Sequence, residues 1–138
     1  MKSSLVAGLK KTNRIDIDTG RTISFMGDKC RVYGTPFLLY DIEMLCRDLL
    51  LEHSDKGEDS VGTSVQLNHT GPTLLGMWVE ITVGIAEVKG RAVNFDITAR
   101  DALEQVATGT HARFVVDVET TAARLQGKLA KAQQMGNQ

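Results

Sequence analysis

The segment Thr35 to Glu52, TPFLLYDIEMLCRDLLLE, decides the fold. Thr35 offers a hydroxyl for the N-cap and Pro36 suits the first helical position, so a helix starts here. At about 100° per residue, Leu38, Ile42, Leu45, Cys46 and Leu49 fall on one broad apolar face with Leu39 and Leu50 on its flank. Asp41, Asp48 and Glu52 gather on the other side. Such a helix is buried over most of its circumference, which in a chain of 138 residues requires a sheet wrapped around it. Glu43 departs from the pattern, projecting between Leu50 and Arg47 and away from the other carboxylates. A carboxylate at the edge of a buried face is either paired with a neighbour or kept for chemistry.

On the N-terminal side, residues 1–12 mix Ser, Lys and Gly around a few apolar residues and read as a loose arm or an edge segment. Arg14 to Asp18 alternates as a short strand. A second short strand is expected at Arg21 to Phe25, after the turn-like Asp18-Thr19-Gly20. On the C-terminal side, the polar loop His53 to Ser60 is followed by strands. Val65, Leu67 and His69 alternate with polar residues until Gly71-Pro72 forces a break. Met77 to Val88 carries Val79, Ile81, Val83 and Ile85 on one face, and Lys89-Gly90 signals a two-residue hairpin. Arg91 to Ala99 and Gln105 to Val118, the latter with Phe114, Val116 and Val118 on one apolar face, complete an antiparallel meander. From Glu119 on, only Leu125 and Leu129 anchor a weak terminal helix that frays after Gln133.

Short strands, one long buried helix and then a meander make an α+β chain of hot-dog type, an antiparallel sheet wrapped around one central helix, with 1–138 as a single domain. A lone sheet of this size leaves edges and apolar surface uncovered, and pairing edge to edge into a dimer covers them.

Composition narrows the function. Sixteen basic residues against seventeen acidic ones leave a net charge of −1, which gives no broad electrostatic footprint for nucleic acid. No apolar run reaches membrane-spanning length, and the N-terminal apolar run is too short for a secretory signal. Cys30 and Cys46 lack metal-ligand spacing and read as free thiols in a reducing compartment, so a cytoplasmic protein is expected. Phosphate loops, paired histidine ligands, nucleophile elbows and dinucleotide fingerprints are all missing, and no metal is expected. Any chemistry comes from scattered residues gathered by folding.

Several residues stand out, each with an ordinary explanation beside the functional one. Glu43 either pairs with Arg47 at i, i+4 or serves catalysis. His69 continues the Val65 and Leu67 face just before a turn, where a hydrogen-bonded structural histidine is the common case. Thr35 is first of all an N-cap. Gly62-Thr63 and the run Gly109 to Arg113 place glycines inside strand patterns, where either packing or close approach of a ligand explains them. His111 and Arg113 share a strand face, read as solvated, with Arg113 alternatively holding a carboxylate or phosphate. Trp78, beside Glu80 and Thr82, reads as a surface-packing residue.

Taken together, GTPFLLYDIEMLC, GTSVQLNHTGPTLLG, VKGRAVNFDITARD and GTHARFVV, in this order over residues 35–118, resemble the thioesterase superfamily branch typified by fluoroacetyl-CoA thioesterase. The resemblance implies a hot-dog homodimer, or a tetramer of paired dimers, that hydrolyses a small or medium acyl-CoA near the dimer interface. Coenzyme A enters as part of the substrate, with no separate cofactor. Thr35, Glu43 and His69 would form the catalytic set, with Gly62 near the acyl group and Arg113 binding substrate. The approach to the helix, RTISFMGDKCRVYGT, lacks the Pro- and Phe-rich insert that resembles a lid in the fluoroacetyl-specific enzyme, so selectivity for a fluorinated acyl group does not carry over. A non-catalytic acyl-CoA binding or sensing module on the same fold is the alternative reading.

Overall fold

The computed structural model describes residues 1–136; residues 137 and 138 of the expected tail lie outside the described residues. Five strands make one antiparallel sheet: β1 (Lys10–Asp16), β2 (Glu58–His69), β3 (Trp78–Lys89), β4 (Ala92–Arg100) and β5 (Gln105–Asp117), in spatial order β1-β3-β4-β5-β2. Helix α1 (Thr35–Leu51) crosses the concave face, and α2 (Val118–Gln134) follows β5 outside the sheet. Among the described residues, no helix is long and apolar enough to cross a membrane.

The period-two and 3.6-residue patterns meet in one core. Leu38, Ile42, Leu45, Cys46, Leu49 and Leu50 of α1 are buried, as are Val79, Ile81, Val83 and Ile85 of β3 and Val93, Phe95, Ile97 and Ala99 of β4. Each large side chain fully withdrawn from water contributes about 1.5–3 kcal/mol, so this interface dominates stability. The expected polar side of α1 is only partly polar: Asp41 is buried, because Arg21 and Tyr33 reach it from the preceding segment.

Three local expectations change, and the terminal helix forms where it is expected. The second short strand does not form. Thr19–Arg21 is a 3₁₀ turn whose Arg21 N–H donates to Asp18 Oδ1 at 3.0 Å, and the following chain touches its neighbour through the isolated Thr22–Tyr33 bridge. Residues 1–12 lead into an edge strand and are no loose arm. Lys10 to Thr12 belong to β1, Leu5 is buried, and the Met1 ammonium lies 2.6 Å from both Asp55 Oδ2 and Glu58 Oε1. The β3–β4 loop is Gly90-Arg91, since Lys89 pairs with Ala92. Gly90 takes φ +61° at its first position, as a two-residue hairpin with glycine there requires. The terminal helix is regular to Gln134, capped by Asp117, which accepts from Thr120 N–H at 2.9 Å. None of its residues is buried.

Register on the far side of the sheet positions the site. Val93, Phe95, Ile97 and Ala99 of β4 lie opposite Arg113, His111, Gly109 and Ala107 of β5. These in turn lie opposite Gly62, Val65, Leu67 and His69 of β2. Residues directly opposite in an antiparallel ladder share a face, so the whole row looks onto α1. A register shift between Gly62 and Ser64 keeps Gly62 in that row. At Gly109 the strands come close enough that a Cβ would stand 2.3 Å from the Gln66 carbonyl oxygen. Trp78 is covered by Arg14, whose guanidinium carbon lies 4.0 Å from the ring centroid, and by Arg100.

Candidate active site

At the start of α1, Gly34 rather than Thr35 is the N-cap, and its carbonyl accepts from the N–H groups of Phe37 and Leu38 at 3.0 Å. Glycine fits there because a Cβ would meet the Phe37 ring at 2.8 Å. The Thr35 hydroxyl is therefore released from capping, and its Oγ1 lies 2.8 Å from His69 Nδ1. His69 ends β2, where the following Thr70 and Gly71 N–H groups both donate to the Val106 carbonyl. The Tyr33 ring stands edge-on to the imidazole, 6.3 Å between centroids. His69 Nε2 is shut off from solvent without a hydrogen-bond partner of good geometry among the described residues. Burial lowers the pKa of His69 and so favours the neutral ring. Ile23, Phe25, Val32, Thr35, His69 and Pro72 are among the residues lining a cleft of about 300 Å³ beside this pair.

A second cluster lies two turns along the helix. The expected Glu43–Arg47 pair does not form: Arg47 turns to Asp59, with Nε and Nη2 donating to its carboxylate at 2.9 and 2.7 Å. Glu43 makes no hydrogen bond among the described residues. Its Oε1 lies 3.8 Å from His111 Nε2. Gly62 faces it so closely that a Cβ there would stand 2.7 Å from Glu43 Oε1. His111 and Arg113, expected on a solvated surface, are buried at 2% and 4% exposure. The expected apolar face of their strand, Phe114, Val116 and Val118, is the outer one, with Phe114 and Val118 exposed, because the strand's register against the buried Val93 and Phe95 turns Arg113 and His111 inward.

Arg113 does not point its donors into open space. Nε donates to Ser60 Oγ at 2.8 Å, Nη2 to the Ser60 carbonyl at 2.8 Å, and Nη1 to His111 Nε2 at 3.2 Å. His111 Nδ1 lies 2.8 Å from the Ser64 carbonyl oxygen. Burial lowers the pKa of His111, with the Arg113 charge acting in the same direction, so the ring is neutral beside Glu43. Cys46, one turn on from Glu43, is a buried thiol whose pKa burial has pushed up to about 12, which leaves it unreactive.

Thr35 and His69 thus meet within the chain, as do Glu43, Gly62 and Arg113, but the two groups stand apart. Eight residues of helix separate Thr35 from Glu43, about 12 Å of rise. Behind the first group lies a network that single-residue inspection missed. Tyr33 O–H donates to Asp41 Oδ2 at 2.5 Å, and Arg21 Nε and Nη2 donate to the same carboxylate at 2.9 and 3.2 Å. Burial, reinforced by the bond to Asp41, holds the Tyr33 phenol protonated well above its ordinary range.

Comparison with known proteins gives a consistent result. A family described as fluoroacetyl-CoA-specific thioesterase matches residues 17–119. The fluoroacetyl-CoA thioesterase of Streptantibioticus cattleyicolor is 30% identical over 97 residues, 70% of each chain. A solved structure of fluoroacetyl-CoA thioesterase superposes with a TM-score of 0.83 at 24% identity, covering 91% of this chain and 98% of that one. A thioesterase superfamily member from Thermus thermophilus superposes at 0.86 and 18% identity, covering 96% and 98%. A hot-dog-like protein from Thermanaerovibrio acidaminovorans gives 0.82 at 24% identity, covering 88% and 91%. The last three likenesses establish the hot-dog fold.

Proposed function

The chain belongs to the fluoroacetyl-CoA-specific thioesterase family, and from that premise we infer that it hydrolyses a small or medium acyl-CoA thioester to free acid and coenzyme A. The observation that carries the reading within the chain is Glu43: a carboxylate with no hydrogen bond among the described residues, held between Gly62 and His111 and facing outward from the core. A carboxylate whose lone pairs are left open is equipped to take a proton from water or to add to a carbonyl carbon.

In the water route, Glu43 accepts a proton as the water oxygen adds to the thioester carbon. The resulting oxyanion is stabilised by the Thr35 hydroxyl and the positive end of α1. Collapse breaks the carbon–sulfur bond, and the departing thiolate takes up a proton. In the direct route, Glu43 itself adds to the carbon, the carbon–sulfur bond breaks and the departing thiolate takes up a proton, and water then hydrolyses the resulting anhydride to free acid and the Glu43 carboxylate. His69, neutral and bonded to Thr35, orients that hydroxyl and moves protons in either case.

One straight helix does not bring Thr35 to Glu43, so a shared site draws on two copies. Strand β2 is a free edge of the sheet, with Val61 and Val65 exposed. Antiparallel pairing of two β2 strands brings the Gly62 end of one strand alongside the His69 end of the other. Glu43 of one protomer then faces the Thr35–His69 pair of the other, giving two sites per homodimer; pairing of dimers into a tetramer leaves that geometry intact. Each protomer acts as a single hot-dog domain, and its free thiols suit a cytoplasmic setting.

The acyl group fits the cleft of about 300 Å³ beside His69. Phe25 at its rim is 81% exposed and Met26 55%, so the cleft is open, and preference for a fluorinated acyl group is not part of the proposal. The test is release of free CoA thiol from short, medium, aryl and halogenated acyl-CoAs by the wild type, Glu43→Gln and His69→Ala. Turnover of one acyl class, lost in both variants, is the expected result. Saturable binding with no turnover of any ester would instead support a binding or sensing module.

A further inference from the structure

We propose that His111 is a positioning residue for Glu43: a neutral imidazole locked in one tautomer that occupies an Arg113 donor on the Gly62 side, where the carboxylate lies, and leaves Glu43 free for reaction. The inference deepens the thioesterase reading and rests on it for its kinetic consequence only.

The tautomer follows from the partners. Arg113 Nη1 is a donor and cannot accept, so His111 Nε2, 3.2 Å away, carries the lone pair. The Ser64 carbonyl cannot donate, so His111 Nδ1, 2.8 Å away, carries the proton. Both ring nitrogens are satisfied by neutral imidazole and only by this form. Phe95 stacks on the ring at an interplanar angle of 27°, and the residue is 2% exposed, so neither rotation nor a flip is open to it. The 3.8 Å separation from Glu43 Oε1 is then a contact of an acceptor nitrogen with an acceptor oxygen.

Without this ring, Arg113 Nη1 loses its acceptor, and Glu43 Oε1 lies just across Gly62 from it: a Cβ there would stand 2.7 Å from Glu43 Oε1 and 3.6 Å from Arg113 Nη1. A carboxylate bound by a buried guanidinium is a strong, often bidentate pair, and its lone pairs are withdrawn from substrate. His111 takes that donor instead, while the guanidinium charge remains close. The other groups around the cluster have separate partners or none: Arg47 and Asp59 bind each other, and the Cys46 thiol is held neutral. Gly62 completes the arrangement, since a side chain there would push Oε1 aside. Arg113, expected to bind substrate, is on this view the support behind Glu43.

Two measurements test the proposal on the intact protein. Imidazole ¹⁵N spectra of the wild type, with His111 assigned from His111→Gln, are expected to show a protonated Nδ1 and an unprotonated Nε2 at pH 7; a protonated Nε2 or a cationic ring would overturn it. That result does not depend on which ester is hydrolysed, or on any hydrolysis. In kinetics on the best acyl-CoA, His111→Phe keeps the stacking and loses the acceptor, and kcat is expected to fall by about 10- to 100-fold with KM within threefold. His111→Gln sets an amide oxygen near the Nε2 position and is expected to recover most of the loss. Full activity in a folded His111→Phe variant, or no recovery in a folded His111→Gln, would overturn the positioning role. If His111→Phe does not fold, the tautomer decides alone.

Discussion

The Thr35 hydroxyl lies 2.8 Å from His69 Nδ1, although Thr35 opens a helix and its residue type suits a cap. Gly34 has taken the cap position, so the hydroxyl contributes little to the helix itself. Thr35→Ala is expected to lower kcat by about 100-fold, the scale for a lost oxyanion donor, while stability changes by less than about 1 kcal/mol. Thr35→Ser, which keeps the hydroxyl, is expected to stay near wild type in both. Steady-state kinetics beside urea denaturation separates the two effects; a loss of stability above 2 kcal/mol in Thr35→Ala would mean that the hydroxyl is structural.

Gly62 offers a contrasting test. A Cβ at this position meets the far end of the Glu43 side chain at 2.7 Å and the His111 ring at 3.1 Å. The carboxylate can swing aside at little cost, so Gly62→Ala is expected to cost less than about 1.5 kcal/mol and to lower kcat at least tenfold. Gly109→Ala, whose Cβ meets the Gln66 carbonyl oxygen at 2.3 Å, has only backbone to displace. It is expected to cost about 3 kcal/mol or more by forcing β2 away from β5. Paired denaturation curves for the two variants check the ordering.

How much of this was legible in the sequence depends on the range of the interactions. The apolar face of α1 and the alternation in β3 and β4 are local, and the buried residues follow them. Asp41 misled because what neutralises it lies before the helix: Arg21, in a stretch whose own pattern read as a strand, and Tyr33, in the lead into the helix. Glu43 and Arg47 sit at ion-pair spacing, yet Asp59 of β2 outcompetes Glu43 for the guanidinium. His111 and Arg113 looked solvated because Phe114, Val116 and Val118 alternate with them as the apolar face of the strand, yet Phe114 and Val118 are the exposed ones. Only the register against Val93 and Phe95 turns them inward. The family motifs singled out Glu43, His69 and Thr35, and the eight-residue spacing along one helix, about 12 Å of rise, already keeps Thr35 and Glu43 on separate turns.

Acid is expected to loosen the fold through its buried imidazoles. Burial lowers the pKa of both His69 and His111 in the folded state. The unfolded chain then binds more protons than the folded one between the ordinary histidine value of about 6.5 and the lower folded values, so stability rises with pH in that window. It is complete above about pH 6.5 and declines as pH falls below it. Urea midpoints measured from pH 8 to 5.5 should therefore fall toward the acid end for the wild type, and less steeply for His69→Asn or His111→Gln. A midpoint flat across this range would mean that neither ring is held neutral.

The Asp41 carboxylate accepts from Tyr33 and from two nitrogens of Arg21, and it is 8% exposed. Removing one member of a buried network costs more than the net worth of its bonds, because the partners are left without acceptors. Arg21 is partly exposed and can turn to Asp18 or water, which moderates the loss. Asp41→Ala is therefore expected to destabilise by about 2–3 kcal/mol, and Tyr33→Phe by about 1 kcal/mol, since Arg21 still satisfies the carboxylate. Because Tyr33→Phe keeps the ring that stands edge-on to His69, its kcat should be nearly unchanged, whereas Tyr33→Leu should lose kcat at similar stability. Chemical denaturation with kinetics on the three variants checks the order, and equal activity in Tyr33→Leu and Tyr33→Phe would show that the aromatic edge does not hold His69 in place.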